Sequence, residues 1–274
     1  IIICIIMYLI ENEKLVKCKN SALTHWSKHN FIFEKFSSVV FQKVTELKNE
    51  FKNILVISSD YDEIILKITK LKFQNLFYCS QYRSFLENIS LKKEKVTKIF
   101  SSFETYPFND NSFDLIICNF CFHNINKKME YLKNLKKFLT KNGLFICNYF
   151  GENSLIELKN SLIFADEKIY GGSFLRFPKL VKLVDFSQML MQAGFKEVVT
   201  EKINYEILYN DVLSILKDVR GMGESGFHSF NEKKFNIGYY KKLNEIYKKK
   251  YSDIDSKLKV SCEIISSSSW KAEV

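Results

Sequence analysis

Residues 51–63 read FKNILVISSDYDE, an apolar run followed by small and acidic residues. Four apolar residues in a row, Ile54 to Ile57, are typical of a strand that is covered on both faces. Small and acidic residues follow at once, and the periodic apolar segment after them predicts a helix. A nucleotide-binding α/β domain begins with this order of strand, turn and helix. Such turns usually carry glycines so that the backbone can approach the ligand, and this turn has none.

Strands and helices alternate through the first half of the chain. Apolar runs predict strands at 54–58, 75–80, 96–101, 112–119 and 144–150, with helices between them. Buried strands that alternate with helices predict an α/β fold built on one mostly parallel, doubly wound sheet. The helix at 129–139 is expected to end in a turn at 141–143, with Gly143 in the left-handed conformation.

The second half is predicted to extend this core. Patterning predicts helices at 153–168, 185–193, 211–219 and 231–251 and strands at 195–203, 205–209 and 257–266. We expect residues 21–150 to form the core and residues 151–274 to continue the same domain with insertions on the substrate side. Residues 1–20 are predicted to be a disordered or unreliable lead, because the apolar run at their start is too short to span a bilayer.

Charge and cysteine content limit the classes of function. The net charge of the 274 residues is +10, but the lysines are scattered among acidic and amide residues. We therefore expect no specific nucleic-acid binding, only weak binding that disappears at moderate salt. Seven cysteines without paired spacing favour reduced thiols. The one CxxC, Cys118 and Cys121, begins within an apolar run that is typical of a buried strand.

Two segments carry a resemblance to a known family. Residues 106–116 read YPFNDNSFDLI, with Phe122 and His123 shortly after, and residues 139–145 read LTKNGLF. They resemble the segments around the fourth and fifth strands of class I S-adenosylmethionine-dependent methyltransferases. The resemblance implies a Rossmann-like, class I methyltransferase-like fold, S-adenosylmethionine as the cofactor, and transfer of its methyl group to a positioned nucleophile.

The C-terminal half narrows the resemblance. RGMGES at 220–225 follows the pairs at 171–172 and 193–194, and Trp270 comes last, in the order of one subfamily. The chain resembles the mitochondrial complex I assembly factor five subfamily and its α-proteobacterial relatives, which are similar to the malonyl-carrier-protein methyltransferase of biotin synthesis. This resemblance implies a protein or carrier-protein substrate. It also implies a location in the mitochondrial matrix of a eukaryote or the cytoplasm of a bacterium.

The cofactor loop departs from the family's pattern. The family ends its first strand with an acid and a glycine-rich turn, and those positions here hold Val56, then Ser58, Asp60 and Asp62. Ser80 stands where an acid would bind the ribose hydroxyls. Side chains in place of glycines add bulk, and two carboxylates would face the carboxylate of the cofactor. Affinity for S-adenosylmethionine is therefore expected to be in the high micromolar range or weaker.

Three side chains are candidates for catalysis. His123 follows the fourth strand, at the edge where α/β proteins bind ligands, and the alternative is a capped or solvated loop histidine. Arg176 and Arg220 belong to a chain that otherwise uses lysine, which favours bidentate binding of a carboxylate or phosphate. Structural ion pairs with Glu224 or Asp185 are the alternative. The residues at the positions of the family's cofactor-binding edge are Ser58, Asp60, Asp62, Ser80 and Asn119.

Two functions follow from these observations. The first is a methyltransferase, or the related arginine-modifying assembly activity, that acts on a protein or carrier protein. The second is a pseudo-methyltransferase that has lost its cofactor and serves as a binding or assembly module. The altered loop favours the second function, while the retained RGMGES and glycine pairs favour a preserved substrate side. The sequence has no pattern of metal ligands.

Overall fold

The computed structural model of the protein describes residues 12–91, 95–104, 106, 108–225 and 236–272. Its centre is a seven-stranded sheet with the strand order β3-β2-β1-β4-β5-β7-β6. The strands are β1 (Glu50–Ser58), β2 (Lys72–Ser80), β3 (Val96–Phe100), β4 (Phe113–Asn119), β5 (Leu139–Phe150), β6 (Lys196–Tyr209) and β7 (Leu258–Trp270). All neighbours pair in parallel except β7, which is antiparallel to both β5 and β6. The predicted mostly parallel, doubly wound sheet is confirmed.

Helices cover both faces of this sheet. They are α1 (Asn12–Leu23), α2 (Phe31–Leu47), α3 (Glu63–Ile68), α4 (Arg83–Asn88), α5 (Lys128–Phe138), α6 (Ile156–Tyr170), α7 (Leu183–Gln192), α8 (Val212–Gly221) and α9 (Ile237–Tyr251). On one face α2 and α3 pack against alternate residues of the central strands. On the other face, α5 and α7 pack against the strand residues whose side chains point the opposite way. Because both of their faces are covered, the central strands β1, β4 and β5 contain long runs of buried apolar residues, and these runs are the pattern that predicted them.

A third core lies beside the sheet. Here α6, α8 and α9 pack against one another and against the early part of β7. Because β6 and β7 belong to the same sheet as β1, residues after 150 extend one continuous structure. The division into 21–150 and 151–274 stays a prediction. None of the helices in the described ranges is long and apolar enough to cross a membrane.

Several predicted boundaries differ from the structure. The expected lead at 1–20 is wrong for its described part, because α1 is a helix that buries Leu15, Lys19 and Ala22. Residues 1–11 lie outside the described residues, as does the predicted helical segment at 231–235. The strands expected at 195–203 and 205–209 are one strand, β6.

The turn after α5 also differs from the expectation. Asn142, rather than Gly143, adopts the left-handed conformation, with φ at 55°. Gly143 belongs to β5, and a Cβ there would lie 2.9 Å from the carbonyl oxygen of Thr140. The glycine is required by this close approach of the backbone, and asparagine tolerates the left-handed region better than most residues.

Candidate functional site

Three polar residues end neighbouring strands at the carboxyl edge of the sheet. Ser58 ends β1, Ser80 ends β2 and Asn119 ends β4, and Ser58 pairs in register with Asn119. The hydroxyl of Ser58 donates to the carbonyl of Asn119 at 3.1 Å, and the hydroxyl of Ser80 donates to the carbonyl of Ser58 at 3.3 Å. The structure thus brings together three of the predicted cofactor-binding residues. All three are fully buried.

The loop after β1 satisfies its own backbone groups. The amide of Ser59 donates to the carbonyl of Asn119 at 3.1 Å, and the amide of Asp60 donates to the hydroxyl of Ser58 at 3.2 Å. The phenol of Tyr78 donates to the carbonyls of Asp60 and Tyr61. A phosphate- or carboxylate-binding loop would instead present free amides to its ligand.

Asp60 is a fully buried acid in this loop. Its Oδ2 accepts from the amide of Asn119 at 2.5 Å and from the hydroxyl of Ser37 at 3.4 Å. Its Oδ1 has no hydrogen-bond partner within the described part of the chain. Burial, followed by the nearby charge of Glu63, raises the pKa of Asp60 well above its usual value. The folded protein therefore favours the protonated form of this side chain.

The buried acid makes stability depend on pH. The folded protein holds this proton more tightly than the unfolded chain, where the aspartate pKa has its ordinary value of 3.8. The free energy of unfolding contributed by Asp60 is therefore highest below that pH and falls as the pH rises. We expect Asp60→Asn to raise the free energy of unfolding by about 1–3 kcal/mol at pH 8, and by much less near pH 4.

Urea unfolding at the two pH values checks this expectation. Asp110→Asn, at an exposed position, is the matched control and should change stability little at either pH. A gain for Asp60→Asn that is equal at both pH values would mean that Asp60 does not titrate abnormally.

Two further acids follow Asp60. Glu63 is 6% exposed and accepts from the indole of Trp26 and the amide of Asn30. Burial raises the pKa of Glu63 and of the half-buried Asp62. Asp62 precedes α3, and its side chain makes no capping hydrogen bond to that helix. Three carboxyl groups therefore lie within four residues, and two of them, Asp60 and Asp62, stand where the family resemblance implies glycines.

Aromatic side chains cover the carboxyl edge. Tyr82 follows β2, Phe120 follows β4, and Trp26 is bonded to the loop after β1. Phe33 on α2 joins them, with ring centroids 4.9 Å from Trp26 and 4.8 Å from Phe120. Each of these rings is buried. Phe120 has a φ of 51°, a conformation that costs a bulky residue strain and that the packing around it must stabilise.

Lys19 on α1 places a buried ammonium group among these rings. Its Nζ lies 5.5 Å from the ring centroid of Trp26, 4.9 Å from Phe33 and 6.0 Å from Tyr82. It also donates to a carboxylate oxygen of Glu224 at 2.7 Å. The side chain of Lys19 is fully buried, so ion pairing and cation–π contacts together replace its hydration.

Glu224 connects Lys19 to the predicted catalytic histidine. Its second carboxylate oxygen lies 3.1 Å from Nε2 of His123. Burial alone would raise the pKa of Glu224, but Lys19 and His123 lower that pKa to about 2. His123 is 5% exposed, and its Nδ1 has no hydrogen-bond partner in the part of the chain that the structure describes. His123 is therefore buried rather than solvated, and its catalytic role stays a prediction.

The glycines of RGMGES fit close packing against these residues. A Cβ on Gly221 would lie 2.1 Å from the ring of His29, and one on Gly223 would lie 2.7 Å from the side chain of Lys19. Gly223 also has a φ of 69° and donates its amide to the carbonyl of Arg220 as α8 ends. The geometry is that of a helix C-cap.

The two predicted arginines lie in different surroundings from His123. Arg176 forms a buried ion pair with Asp166 on α6, at 2.6 Å, and Asp166 also accepts from the phenol of Tyr239. Arg176 thus forms a structural ion pair, which was the alternative to ligand binding, but its partner is Asp166 rather than Glu224 or Asp185. Arg220 is exposed at the end of α8. Catalytic roles for Arg176 and Arg220 stay predictions that no contact described here supports.

A cavity of about 100 Å³, here called the side cavity, opens beside His123. Its walls come from the start of α6, from α8 and from β6 and β7. Apolar residues form most of its surface, namely Ile32, Phe150, Leu155, Phe177, Pro178, Leu180, Ile207, Ile215, Val219, Met222 and Val260. His123 and Glu224 lie at one part of the wall and Lys159 at another. This cavity is the recess beside the edge that could accept a small ligand.

Among the residues that the structure describes, no three His, Cys, Asp or Glu side chains lie close enough together to bind a metal ion. Cys118 and Cys121 have sulfurs 3.0 Å apart, are fully buried and are free thiols. Their position below the carboxyl edge agrees with the expectation of a buried strand for Cys118.

Sequence reasoning missed Lys19, Trp26 and Tyr82. A signal for Lys19 existed, because it lies four residues after Leu15 and three before Ala22 on one helical face. One lysine among many gave no reason to look there. Its burial depends on Glu224, which is 205 residues away in the chain.

Comparisons with known proteins agree with this architecture. The family described as "Methyltransferase domain" matches residues 46–147. The solved structure of the YcgJ protein from Bacillus subtilis is similar, with a TM-score of 0.60 and 15% identity, covering 87% of this chain and 98% of that one. The predicted class I methyltransferase-like fold is confirmed.

Two curated relatives are similar over much of the chain. "Arginine-hydroxylase NDUFAF5, mitochondrial" from Danio rerio is 25% identical over 261 residues, covering 92% of this chain and 78% of that protein. Malonyl-acyl-carrier-protein O-methyltransferase 2 from Ilyobacter polytropus is 28% identical over 193 residues, covering 69% of this chain and 71% of that protein. Both agree with the resemblance carried by RGMGES and the segment at 106–116.

Proposed function

We propose that this chain, a relative of the class I S-adenosylmethionine-dependent methyltransferases, serves as a binding or assembly module. Its partner would be a protein or a carrier protein. S-adenosylmethionine is the cofactor of that family, and the proposal is that this chain no longer binds it. One observation carries the proposal. The carboxyl edge is filled by the chain's own side chains, with Ser58, Asp60 and Ser80 fully buried.

The residues at the edge do not fit the cofactor. A ligand there needs open volume above β1, but Ile57 and Ser58 have no exposed surface. Lys19 and Tyr82 are also fully buried beside this edge, with Nζ of Lys19 6.0 Å from the ring centroid of Tyr82. The family would hold the ribose with an acid at the position of Ser80, whose hydroxyl is already bonded to the carbonyl of Ser58.

Charge at the edge also disfavours the cofactor. Its carboxylate would approach the carboxyl group of Asp62, where like charges cost on the order of a kcal/mol or more. Asp60, whose protonated form is favoured by burial, adds bulk rather than charge. Loss of the ribose acid removes a charge-assisted hydrogen bond worth roughly 1.5–3 kcal/mol. Together with the occupied volume, these effects support an affinity weakened by a thousandfold or more.

The substrate side of the fold supports a retained binding role. The side cavity remains beside His123 and Glu224, and the glycines of RGMGES still pack closely against α1 and its neighbours. The relatives' names point to an arginine hydroxylase and to an enzyme of a carrier protein. We infer a role in assembly on a protein or carrier-protein partner, in the mitochondrial matrix of a eukaryote or the cytoplasm of a bacterium.

A second candidate is a methyltransferase of the same partner class. The favouring observation is the position of His123, buried beside the cavity with one ring nitrogen free of any described partner. A base in this place could accept a proton from a nucleophile. This function requires the aromatic cover and Lys19 to move away from the edge.

A transfer assay separates these two functions. We expect no methyl transfer when the purified chain is incubated with labelled S-adenosylmethionine and malonylated acyl carrier protein. Binding of that carrier protein, measured by surface plasmon resonance, should be unaffected by added S-adenosylhomocysteine. Turnover that His123→Ala abolishes would establish the methyltransferase instead, whereas binding without turnover would support the module.

A further inference from the structure

Lys159 lies where two recesses meet. It lines the side cavity and also an outer groove of about 280 Å³ that runs along α6 and the segment 174–180. Phe177, Pro178 and Leu180 form walls of both recesses. A ligand could therefore enter from the groove and extend inward past Lys159 without a large rearrangement.

The ammonium group of Lys159 is incompletely paired. Its Nζ donates to the carbonyl of Glu152 at 2.9 Å and lies 5.5 Å from the ring centroid of Phe177. No ion pair of Lys159 occurs within the described ranges. Burial lowers the pKa of Lys159, and the charges of Glu152 and Glu263 oppose this shift only in part, since neither carboxylate forms an ion pair with the ammonium group. An anion placed beside this nitrogen would compensate the lost hydration.

Other features at this wall also favour a negative group. Helix α6 begins at Ile156, and Ser154 and Leu155 just before it line the side cavity. The partial positive charge at the start of a helix attracts anions. Glu152, which precedes this helix, forms its own ion pair with Lys182 at 3.6 Å.

The inner part of the side cavity suits an apolar chain. Phe150, Ile215, Val219 and Met222 supply carbon surface there. A volume of about 100 Å³ accommodates on the order of seven non-hydrogen atoms, by the space that water molecules need. The free Nδ1 of His123 belongs to the same wall and is an unpaired buried polar atom that a ligand could engage.

We propose that the side cavity binds a medium-chain aliphatic carboxylate, with the carboxylate on Nζ of Lys159 and the chain directed towards Met222. This site is separate from the carboxyl edge, because neither Ser58 nor Ser80 lines it. The inference therefore goes beyond the proposed function and holds with or without binding of S-adenosylmethionine.

Titration calorimetry with octanoate tests the site on the full chain. We expect a dissociation constant on the order of 100 µM for octanoate and at least tenfold weaker binding of octanamide, its uncharged counterpart. Lys159→Met keeps the length of the side chain and removes the charge, so it should weaken octanoate at least tenfold and leave octanamide unchanged. Lys168→Met, at an exposed lysine of the same helix that lines neither recess, is the matched control and should retain octanoate binding.

A second variant tests the position of the chain. Val219→Phe places a larger side chain into the inner cavity and should abolish binding of octanoate, while an unchanged melting temperature would show that the fold persists. Equal affinities for octanoate and octanamide, full affinity in Lys159→Met, or no binding of octanoate at about 10 mM would each overturn the proposal.

Discussion

Replacing Lys19 by methionine is expected to lower the free energy of unfolding by about 3–5 kcal/mol, because the change leaves the carboxylate of Glu224 buried without its main partner. Nζ of Lys19 lies 2.7 Å from Glu224 and also donates to the carbonyl of Met222 at 2.9 Å. The methionine chain fills a similar volume among the rings, so the loss reports mainly on charge and hydrogen bonding.

Urea unfolding measures this loss at neutral pH. Lys17→Met, on the exposed face of the same helix, is the matched control and should cost little. Adding Glu224→Gln to Lys19→Met should recover part of the stability, because the unpaired charge is removed with its partner. A loss below about 1 kcal/mol for Lys19→Met would contradict a buried, hydrogen-bonded pair and would match the value of exposed pairs.

Restoring the family's loop is expected to leave cofactor binding weak. The variant Ser58→Gly/Asp60→Gly/Asp62→Gly/Ser80→Asp removes the bulk and charge of the loop and supplies the ribose acid. It does not move Lys19 or the rings above the edge, whose buried contacts involve α1 and α2. The occupied volume therefore still excludes the ligand. Burial of the new acid at position 80 should also lower stability.

The shift in melting temperature on adding 1 mM S-adenosylmethionine tests this expectation. A dissociation constant near 1 µM would stabilise the protein by about 4 kcal/mol, and one near 1 mM by about 0.4 kcal/mol. We expect the smaller stabilisation, a shift of about 1 °C, for both the native chain and the restored variant. A shift near 10 °C in the restored variant would show that the loop side chains, rather than the cover, exclude the cofactor.

The central sheet could be predicted from the sequence because its strands are buried on both faces. The apolar runs at 54–58 and 113–119 have that pattern regardless of the rest of the chain. The predicted ends of strands and helices were less accurate where pairing with another strand determines where an element begins. The start of β5 is one example, since pairing of β4 with Leu139 extends that strand into residues that read as a turn.

The candidate site could be predicted only in part. The family resemblance identified Ser58, Ser80 and Asn119 as residues of one edge, and the structure places them together because parallel strands end there. The proposed exclusion of the cofactor from the edge depends on packing between distant segments, above all Lys19 with Glu224. Nor did the sequence indicate that Arg176 would pair with Asp166, as either an ion pair or a ligand contact satisfies a guanidinium group.

The central claim is that the chain's own side chains occupy the cofactor position at the carboxyl edge. Calorimetric titration of the native protein with S-adenosylmethionine and S-adenosylhomocysteine tests it most directly. The filled edge predicts no binding stronger than the high micromolar range for either ligand, on the order of a thousandfold weaker than micromolar binding. A dissociation constant near one micromolar, or cofactor retained through purification, would contradict the claim and establish an edge that opens.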